Sequence, residues 1–227
     1  MMKNKYDYKG ILAFSAAIFL VAVAVTVFAW GKVPADAQIP IHWNAQGEVD
    51  NYGSKAFGLL MGPGLIFFLS LLLAFIPRME PRIENLQQSQ KAYKVVWVFV
   101  VLLMLVLHLI TTTAALGKII NIAIMMSFAI GILFMAIGNY LGKIRSNFMF
   151  GIRTPWALSS EVSWNKTHRL GGRLFFLIGL LVFLSAFLKN GELSFGLLIG
   201  GAFVILILTY AYSYWVWKQD DERKAIS

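Results

Sequence analysis

Long uncharged segments alternate with short polar segments along this chain of 227 residues. Five intervals between charged residues contain 22, 22, 23, 24 and 25 uncharged residues, and a sixth, from Arg173 to Lys189, contains 15. A helix needs roughly 20 apolar residues to cross a bilayer, so the five longer intervals suffice. The short one suffices if its helix begins near residue 171 and the Arg173 side chain extends towards the headgroups. The pattern predicts six transmembrane helices, at about 10–31, 56–77, 95–116, 120–141, 171–189 and 194–217.

The composition agrees with a chain that folds in lipid. Apolar residues make up 59% of it and charged residues 14%, with a mean hydropathy of +0.70. A soluble domain has about half apolar and a quarter charged residues, so a soluble globular domain and a disordered chain are both excluded. The apolar segments lack the alternation of barrel strands, which predicts an all-α, polytopic membrane protein. The absence of cysteine excludes disulfides and thiolate chemistry.

The net charge of +9 is unevenly divided between the two sides of the predicted bundle. The side that holds both termini carries 16 Lys and Arg residues, among them Lys3, Lys5, Arg223 and Lys224, and the other side carries 4. Because cytoplasmic loops are enriched in Lys and Arg, both termini are predicted to be cytoplasmic. The positive charge then reflects orientation in the membrane, and direct nucleic-acid binding is not expected.

Two loops hold most of the sequence outside the predicted helices. An external loop, 32–55, joins the first two helices and belongs to a predicted N-terminal module, 1–93. A cytoplasmic loop, 143–172, belongs to a predicted four-helix module, 94–227. The shorter linker at 78–94 is polar and is predicted to be a helical connector.

The external loop carries the first group of candidate residues. Alternation over 39–43 predicts a short extended stretch, residues 44–47 predict a turn, and Ser54 is placed to cap the second helix. Two interpretations stay open: a packed cap over the bundle, or a surface that binds an external ligand. The spacing of the histidine and carboxylates matches no metal site, so neither a metal nor another cofactor is predicted. The candidate ligand-binding residues are His42, Trp43, Asn44, Glu48, Asp50 and Tyr52.

The cytoplasmic loop mixes aromatic, basic and helix-breaking residues. Residues 154–155, Thr-Pro, predict one helix start, and a serine at 159–160 predicts another. On the second helix Glu161, Trp164 and His168 share one face, which favours an amphipathic segment lying at the inner headgroups.

Two interpretations of the charged residues in this loop stay open. Glu161 and His168 are suited to an acid/base or proton-relay pair. Alternatively, Glu161 pairs with Arg153 or Arg169 to hold the loop together, with His168 as a hydrogen-bonding neighbour. The candidate functional residues of the loop are Asn147, Arg153, Thr154, Pro155, Trp156, Glu161, Trp164, His168 and Arg169.

His108 is the ionisable residue inside the predicted membrane segments, and such residues raise a functional hypothesis. It is a candidate to line a ligand or transport path. Alternatively it is structural and hydrogen-bonds Thr111 or Thr112, one turn further along the helix. Asn121 and Asn139 are predicted to form hydrogen bonds between helices.

Glycines mark further features of the predicted helices. The Gly-Pro-Gly sequence at 62–64 is predicted to break or kink the second helix, where a binding cavity could open. Gly196 and Gly200 form a small-xxx-small pair, and so do Gly58 and Gly62, so both pairs are predicted to lie at helix contacts.

Two sets of motifs, one in each half of the chain, point to a known family. The external loop contains Pro40-Ile41-His42-Trp43-Asn44, Gly47, Asp50 and Tyr52-Gly53-Ser54-Lys55. The second half contains Asn139-Tyr140-Leu141-Gly142, Asn147, Gly151-Ile152-Arg153-Thr154-Pro155-Trp156, Leu158, Glu161, Trp164, Thr167-His168 and Gly171-Gly172. Together these motifs resemble the SdpI family of bacterial membrane proteins, in which a second N-terminal module is often present. The resemblance extends from the first helix to the last.

This resemblance implies an immunity protein of the bacterial cytoplasmic membrane. Such a protein protects the cell from a secreted toxic peptide and takes part in signalling, by binding and without catalysis. The implied partners are the lipid bilayer, the toxin peptide and a cytoplasmic transcriptional regulator. One alternative is a transporter or flippase for a peptide, lipid or ion, with His108 lining its path. Another is a membrane-interface enzyme that uses Glu161, His168, Arg153 and Arg169.

Overall fold

Six long helices form the body of the protein in a computed structural model that describes residues 8–221. Each is long and apolar enough to cross a membrane, which confirms the predicted all-α, multi-pass architecture. Lys3, Lys5, Arg223 and Lys224, which enter the predicted orientation, lie outside the described residues. The helices are α1 (Lys9–Trp30), α2 (Lys55–Phe75), α3 (Ile83–Gln88), α4 (Gln90–Ala115), α5 (Ile122–Leu141), α6 (Pro155–Ser159), α7 (Glu161–Ser185) and α8 (Gly191–Lys218).

The external loop folds as a β-hairpin between α1 and α2. Its strands, β1 (Gln38–Trp43) and β2 (Val49–Ser54), are antiparallel. The predicted extended stretch and turn are confirmed, since the Gly47 N–H donates to the Asn44 carbonyl at 3.0 Å. The second strand was not predicted, because residues 49–54 are mostly polar and lack the alternation of a half-buried strand.

Side-chain caps begin several of the helices. Ser54, Thr154 and Ser160 each accept a hydrogen bond from the backbone N–H three residues later, which confirms the predicted starts of α2 and α6 and the helix start predicted at residues 159–160. Asn121 does the same at α5, so the predicted bond from Asn121 to another helix is wrong. Asn139 is exposed and forms no hydrogen bond with the described residues.

The fifth long helix, α7, begins at Glu161, whereas the apolar pattern predicted a start near residue 171. Ser163, Thr167 and His168 lie in this polar first part and are fully buried against protein. The helix therefore continues through the segment that was predicted to be a separate interfacial helix. Hydropathy alone marks where a helix meets lipid, and this part of α7 meets protein instead.

Helix α2 continues through residues 62–64 without a break. Pro63 has no N–H, so it cannot donate to the Leu59 carbonyl one turn earlier. The Thr26 hydroxyl of α1 donates to that carbonyl instead, at 3.0 Å. A neighbouring helix thus satisfies the backbone group that the proline leaves free, as is common in membrane helices.

The packing forms two contiguous parts. Helices α1, α2 and α4 share a core around Trp97, whose indole N–H donates to Ser15 at 2.9 Å. Helices α5 and α7 pack closely through glycines, and α8 packs on α7, while α4 also contacts α5.

Gly196 and Gly200 of α8 have no heavy atom of another residue within 4 Å of an added Cβ, so the helix contact predicted there is not found among the described residues.

Candidate functional site

Polar candidates of the hairpin bond mainly to one another. His42 Nδ1 and Asp50 Oδ1 lie 2.5 Å apart across the two strands, and Asn44 donates to Glu48 at 3.3 Å. Tyr52 is 52% exposed. Within residues 8–221, no three metal-ligating side chains come together. The hairpin therefore exposes an aromatic ring and paired polar groups at its surface.

Trp43 and Asn44 line an apolar pocket beneath the tip of the hairpin. We call it the outer pocket; its volume is about 150 Å³. A cavity of roughly this size accommodates a benzene-sized group. The other walls come from α5, α7 and α8 and include Ile122, Met126, Ile130, Val182, Phe195 and Leu198. The site thus combines hairpin residues found from the sequence with apolar residues that the sequence did not single out.

The tip of the hairpin is fixed on the start of α8. The Gln46 side-chain amide donates to Glu192 Oε1 at 2.7 Å. Gly191 permits the close approach, since a Cβ there would lie 2.7 Å from the Ala45 carbonyl oxygen. No local pattern indicates this contact, because Gln46 and Glu192 are 146 residues apart.

His108 links three helices and is 2% exposed. Its Nε2 lies 3.1 Å from the Ala22 carbonyl oxygen, which can only accept, so the ring proton is on Nε2. The same N–H lies 3.2 Å from the Thr26 hydroxyl. The predicted bond to Thr111 or Thr112 is therefore wrong, and the partners come from α1.

The other face of the His108 ring packs directly on α2. A Cβ added to Gly62 would collide with the imidazole, so the glycine makes room for the ring. The Nδ1 atom is buried and forms no hydrogen bond with the described residues. His108 is not among the residues that line the outer pocket.

The cytoplasmic loop is anchored by a buried carboxylate that the sequence did not single out. Glu80, in the linker after α2, is 5% exposed and accepts from the backbone N–H groups of Arg82, Phe148 and Met149 at 2.8, 2.9 and 3.0 Å. Asn147, fully buried, accepts from the N–H groups of Met149 and Phe150 at 2.9 and 2.8 Å.

The linker makes further bonds to the same loop. Arg82 donates to the Ser146 hydroxyl at 2.5 Å, and Asn85 donates to the Ser146 carbonyl at 2.8 Å. The Ser89 hydroxyl accepts from the Arg145 N–H at 2.8 Å. The linker and the loop therefore form one hydrogen-bonded layer at the end of the bundle remote from the hairpin.

His168 is fully buried, and both of its ring nitrogens bond to backbone. Nδ1 donates to the Trp164 carbonyl at 2.8 Å, and Nε2 accepts from the Ile152 N–H at 3.0 Å. The Trp164 ring stacks on the imidazole, with centroids 3.9 Å apart. Gly151, at φ +111°, allows this approach, because a Cβ there would lie 2.5 Å from Nε2. The imidazole positions the loop and does not face Glu161.

The Thr-Pro-Trp sequence of the loop packs on α8. Thr154 caps α6, which begins at Pro155, and the Thr154 hydroxyl donates to the Ser213 hydroxyl at 2.8 Å. The Trp156 ring lies edge-on to Tyr210, with centroids 4.8 Å apart. These candidates therefore connect the loop to the last transmembrane helix.

Three charged candidates remain at the surface. Arg153 donates to the Phe148 carbonyl at 2.7 Å, and Glu161 and Arg169 are exposed. Among the described residues Glu161 forms no ion pair with either arginine, so the predicted pairing is not found. Glu161 instead lies at a polar cleft of about 230 Å³ between α3 and the loop, with Asn85, Gln88, Arg145 and Asn165.

Comparisons with known proteins match both parts of the chain. Residues 17–67 match a domain of unknown function, DUF1648, and residues 143–213 match the SdpI/YfhL protein family. The chain is 23% identical over 184 residues to the Immunity protein SdpI of Bacillus subtilis (strain 168), which covers 80% of this chain and 84% of that protein. No solved structure matches. The resemblance predicted from the loop motifs is confirmed.

Proposed function

We propose that this membrane protein, which carries a domain of the SdpI/YfhL family, is an immunity protein against a secreted, membrane-active toxin peptide. Its similarity to Immunity protein SdpI supports a role in immunity. The observation that carries the proposal is the outer pocket. Trp43 and Asn44 of the DUF1648 match form one wall, and Val182 and Phe195 of the SdpI/YfhL match contribute to the opposite one.

The proposed mechanism is capture of the peptide at the external face without turnover. An aromatic or aliphatic side chain of the peptide enters the outer pocket beside Trp43, and burial of such a side chain contributes about 1.5–3 kcal/mol. The exposed His42–Asp50 pair and Tyr52 contact polar parts of the peptide. A peptide that is held in this way cannot insert into the bilayer.

We further propose that the protein lies in the bacterial cytoplasmic membrane with both termini in the cytoplasm. The excess of Lys and Arg at the end of the bundle remote from the hairpin supports this orientation. A reporter fused after residue 227 that is active only in the cytoplasm tests it. Activity is expected, and a reporter that is active only outside the cell would contradict the orientation.

The same proposal extends to signalling through the cytoplasmic loop. Helices α5, α7 and α8 line the outer pocket, and α8 also holds the loop through Ser213. A cytoplasmic transcriptional regulator would dock on the polar cleft that contains Gln88 and Glu161. A photo-reactive residue at Gln88 should crosslink to a soluble protein during toxin challenge, whereas one at Lys218 should not. Crosslinking that does not depend on the toxin would contradict signalling.

The two alternatives gain no support from the residues on which they depend. A transport path would need an accessible His108, yet this imidazole is bonded to α1 and packed on α2. An interface enzyme would need Glu161 and His168 together, yet both nitrogens of His168 are bonded to backbone.

Growth in the presence of the toxin tests the proposed function directly. The chain is expressed in a Bacillus subtilis strain that lacks its own Immunity protein SdpI, and these cells grow beside the wild type. We expect the expressing cells to keep their membrane potential and to survive, while cells with an empty vector lose both. Equal loss in the two cultures, with the protein present in the membrane, would overturn the proposal.

A further inference from the structure

A basic groove lies between the C-terminal end of α5 and the first half of α7, at the end of the bundle remote from the outer pocket. Its volume is about 460 Å³. Lys143, Arg169 and Arg173 line it, together with Asn139, and no carboxylate does. It is separate from the outer pocket and from the polar cleft at Gln88.

Glycines bring the two sides of this groove together. A Cβ added to Gly138 would lie 2.6 Å from the Gly172 carbonyl oxygen, and one added to Gly172 would lie 2.8 Å from the Gly138 carbonyl oxygen. The backbones of α5 and α7 are therefore in direct contact at this level. This contact holds Lys143, which follows the end of α5, beside Arg169 and Arg173 of α7 on one shallow floor.

The three cations of the groove have no acidic partner among residues 8–221. In the part of the chain that the structure describes, none of Lys143, Arg169 and Arg173 has a carboxylate oxygen within 4.0 Å. Lys143 Nζ instead lies 4.8 Å from the centroid of the Tyr140 ring, which orients the ammonium without neutralising it. Converging like charges repel one another, so an anion in the groove would stabilise the arrangement.

The groove changes from polar to apolar along the helices. Lys143 and Arg169 lie where the groove opens at the end of the bundle remote from the hairpin. Asn139 and Arg173 lie one helical turn further along their helices, towards the middle of the bundle. Phe176 follows, with 45% of its surface exposed. A phospholipid has the same order of groups, with a phosphate above acyl chains.

We infer that this groove binds the headgroup of an anionic phospholipid. The three cations and the Asn139 amide hold the phosphate oxygens, and the acyl chains pass over Phe176. Basic pockets between transmembrane helices at the cytoplasmic side recognise anionic headgroups in this way. The proposal does not depend on whether the protein confers immunity.

Lipid titration of the purified full chain tests the inference. Native mass spectrometry counts the lipids that bind in detergent when phosphatidylglycerol or phosphatidylcholine is added. The groove variant carries Lys143→Gln, Arg169→Gln and Arg173→Gln. The control variant carries Lys91→Gln, Lys166→Gln and Lys218→Gln, which remove the same charge from the same end of the bundle outside the groove.

We expect the unchanged protein to bind phosphatidylglycerol at least about tenfold more tightly than phosphatidylcholine, because each cation near the headgroup adds to the attraction. The groove variant should lose this preference, and the control variant should keep it. Equal losses in both variants, or no preference in the unchanged protein, would overturn the inference.

Two further measurements distinguish a lipid site from a site for small anions and from a folding defect of the variant. Inorganic phosphate at millimolar concentration should not displace the lipid; full displacement would show a site for small anions and contradict a lipid site. If the groove variant does not fold, Arg173→Gln alone replaces it and should weaken phosphatidylglycerol binding several-fold. Circular dichroism and size exclusion verify its fold, and unchanged binding by this folded variant would also overturn the inference.

Discussion

Glu80 is predicted to hold the cytoplasmic loop in place, and the change Glu80→Gln tests this role. The buried carboxylate accepts one backbone N–H from its own linker and two from the loop, at Phe148 and Met149. An amide of the same size has only one oxygen. Its NH2 group would face one of the backbone N–H groups, so that donor would lose its acceptor.

The expected cost follows from these three bonds. Hydrogen bonds to a charged group contribute about 1.5–3 kcal/mol each, neutral ones about 0.5–1.5 kcal/mol, and an unsatisfied buried donor costs about 1–3 kcal/mol. The substitution weakens the retained bonds and leaves one donor unpaired. The two retained bonds lose about 1–1.5 kcal/mol each and the unpaired donor costs about 1–3 kcal/mol, so we expect the substitution to destabilise the folded loop by about 3–6 kcal/mol. Glu84→Gln, at an exposed position in the same linker, should change stability by less than about 0.5 kcal/mol.

Limited digestion with trypsin measures this difference, because the loop contains cleavage sites after Lys143, Arg145 and Arg153. When the loop opens and closes faster than trypsin cuts it, the cleavage rate is proportional to the population of the open loop. A loss of about 1.4 kcal/mol in the stability of the folded loop raises that population tenfold. Purified Glu80→Gln protein should be cut in this loop at least about tenfold faster than the unchanged protein. Cleavage of Glu80→Gln at the same rate as Glu84→Gln would refute the reasoning.

Two glycine contacts give further predictions for thermal unfolding in detergent. Gly62→Ala should destabilise the protein by about 1–3 kcal/mol because its methyl group meets the His108 ring, while Gly64→Ala, which meets nothing within 4 Å, should not. Gly138→Ala should cost a similar amount by separating α5 from α7, whereas Gly196→Ala, in open space within α8, should not lower the melting temperature. Equal effects within either pair would contradict the packing described.

The sequence predicted those parts of the fold that depend on neighbouring residues. Charged residues mark the ends of the apolar segments, so the six spans follow from their spacing. The caps at Ser54 and Thr154 also follow, because a capping side chain acts on an N–H only three residues away. The turn at residues 44–47 follows as well, because the Gly47 N–H bonds to a carbonyl only three residues earlier.

The parts that the sequence did not predict depend on distant partners. Glu80 bonds to an N–H 68 residues later, and His108 bonds to a hydroxyl 82 residues earlier, so neither partner is visible in a local pattern. Helix α7 extends to Glu161 because protein covers its polar first part. The outer pocket needs walls from three helices, and only its hairpin wall carried a recognisable motif.

The change Trp43→Ala tests the central claim that the outer pocket captures the toxin. Loss of a buried aromatic contact at an interface costs about 2 kcal/mol or more, which weakens binding more than about tenfold. In the growth test described above, the surviving fraction should therefore fall at least about tenfold, with unchanged protein abundance. Trp30→Ala is the control, since Trp30 is 41% exposed at the same end of the bundle and lies outside the pocket; it should protect fully. Full protection by Trp43→Ala, or a loss that only follows falling abundance, would contradict the account.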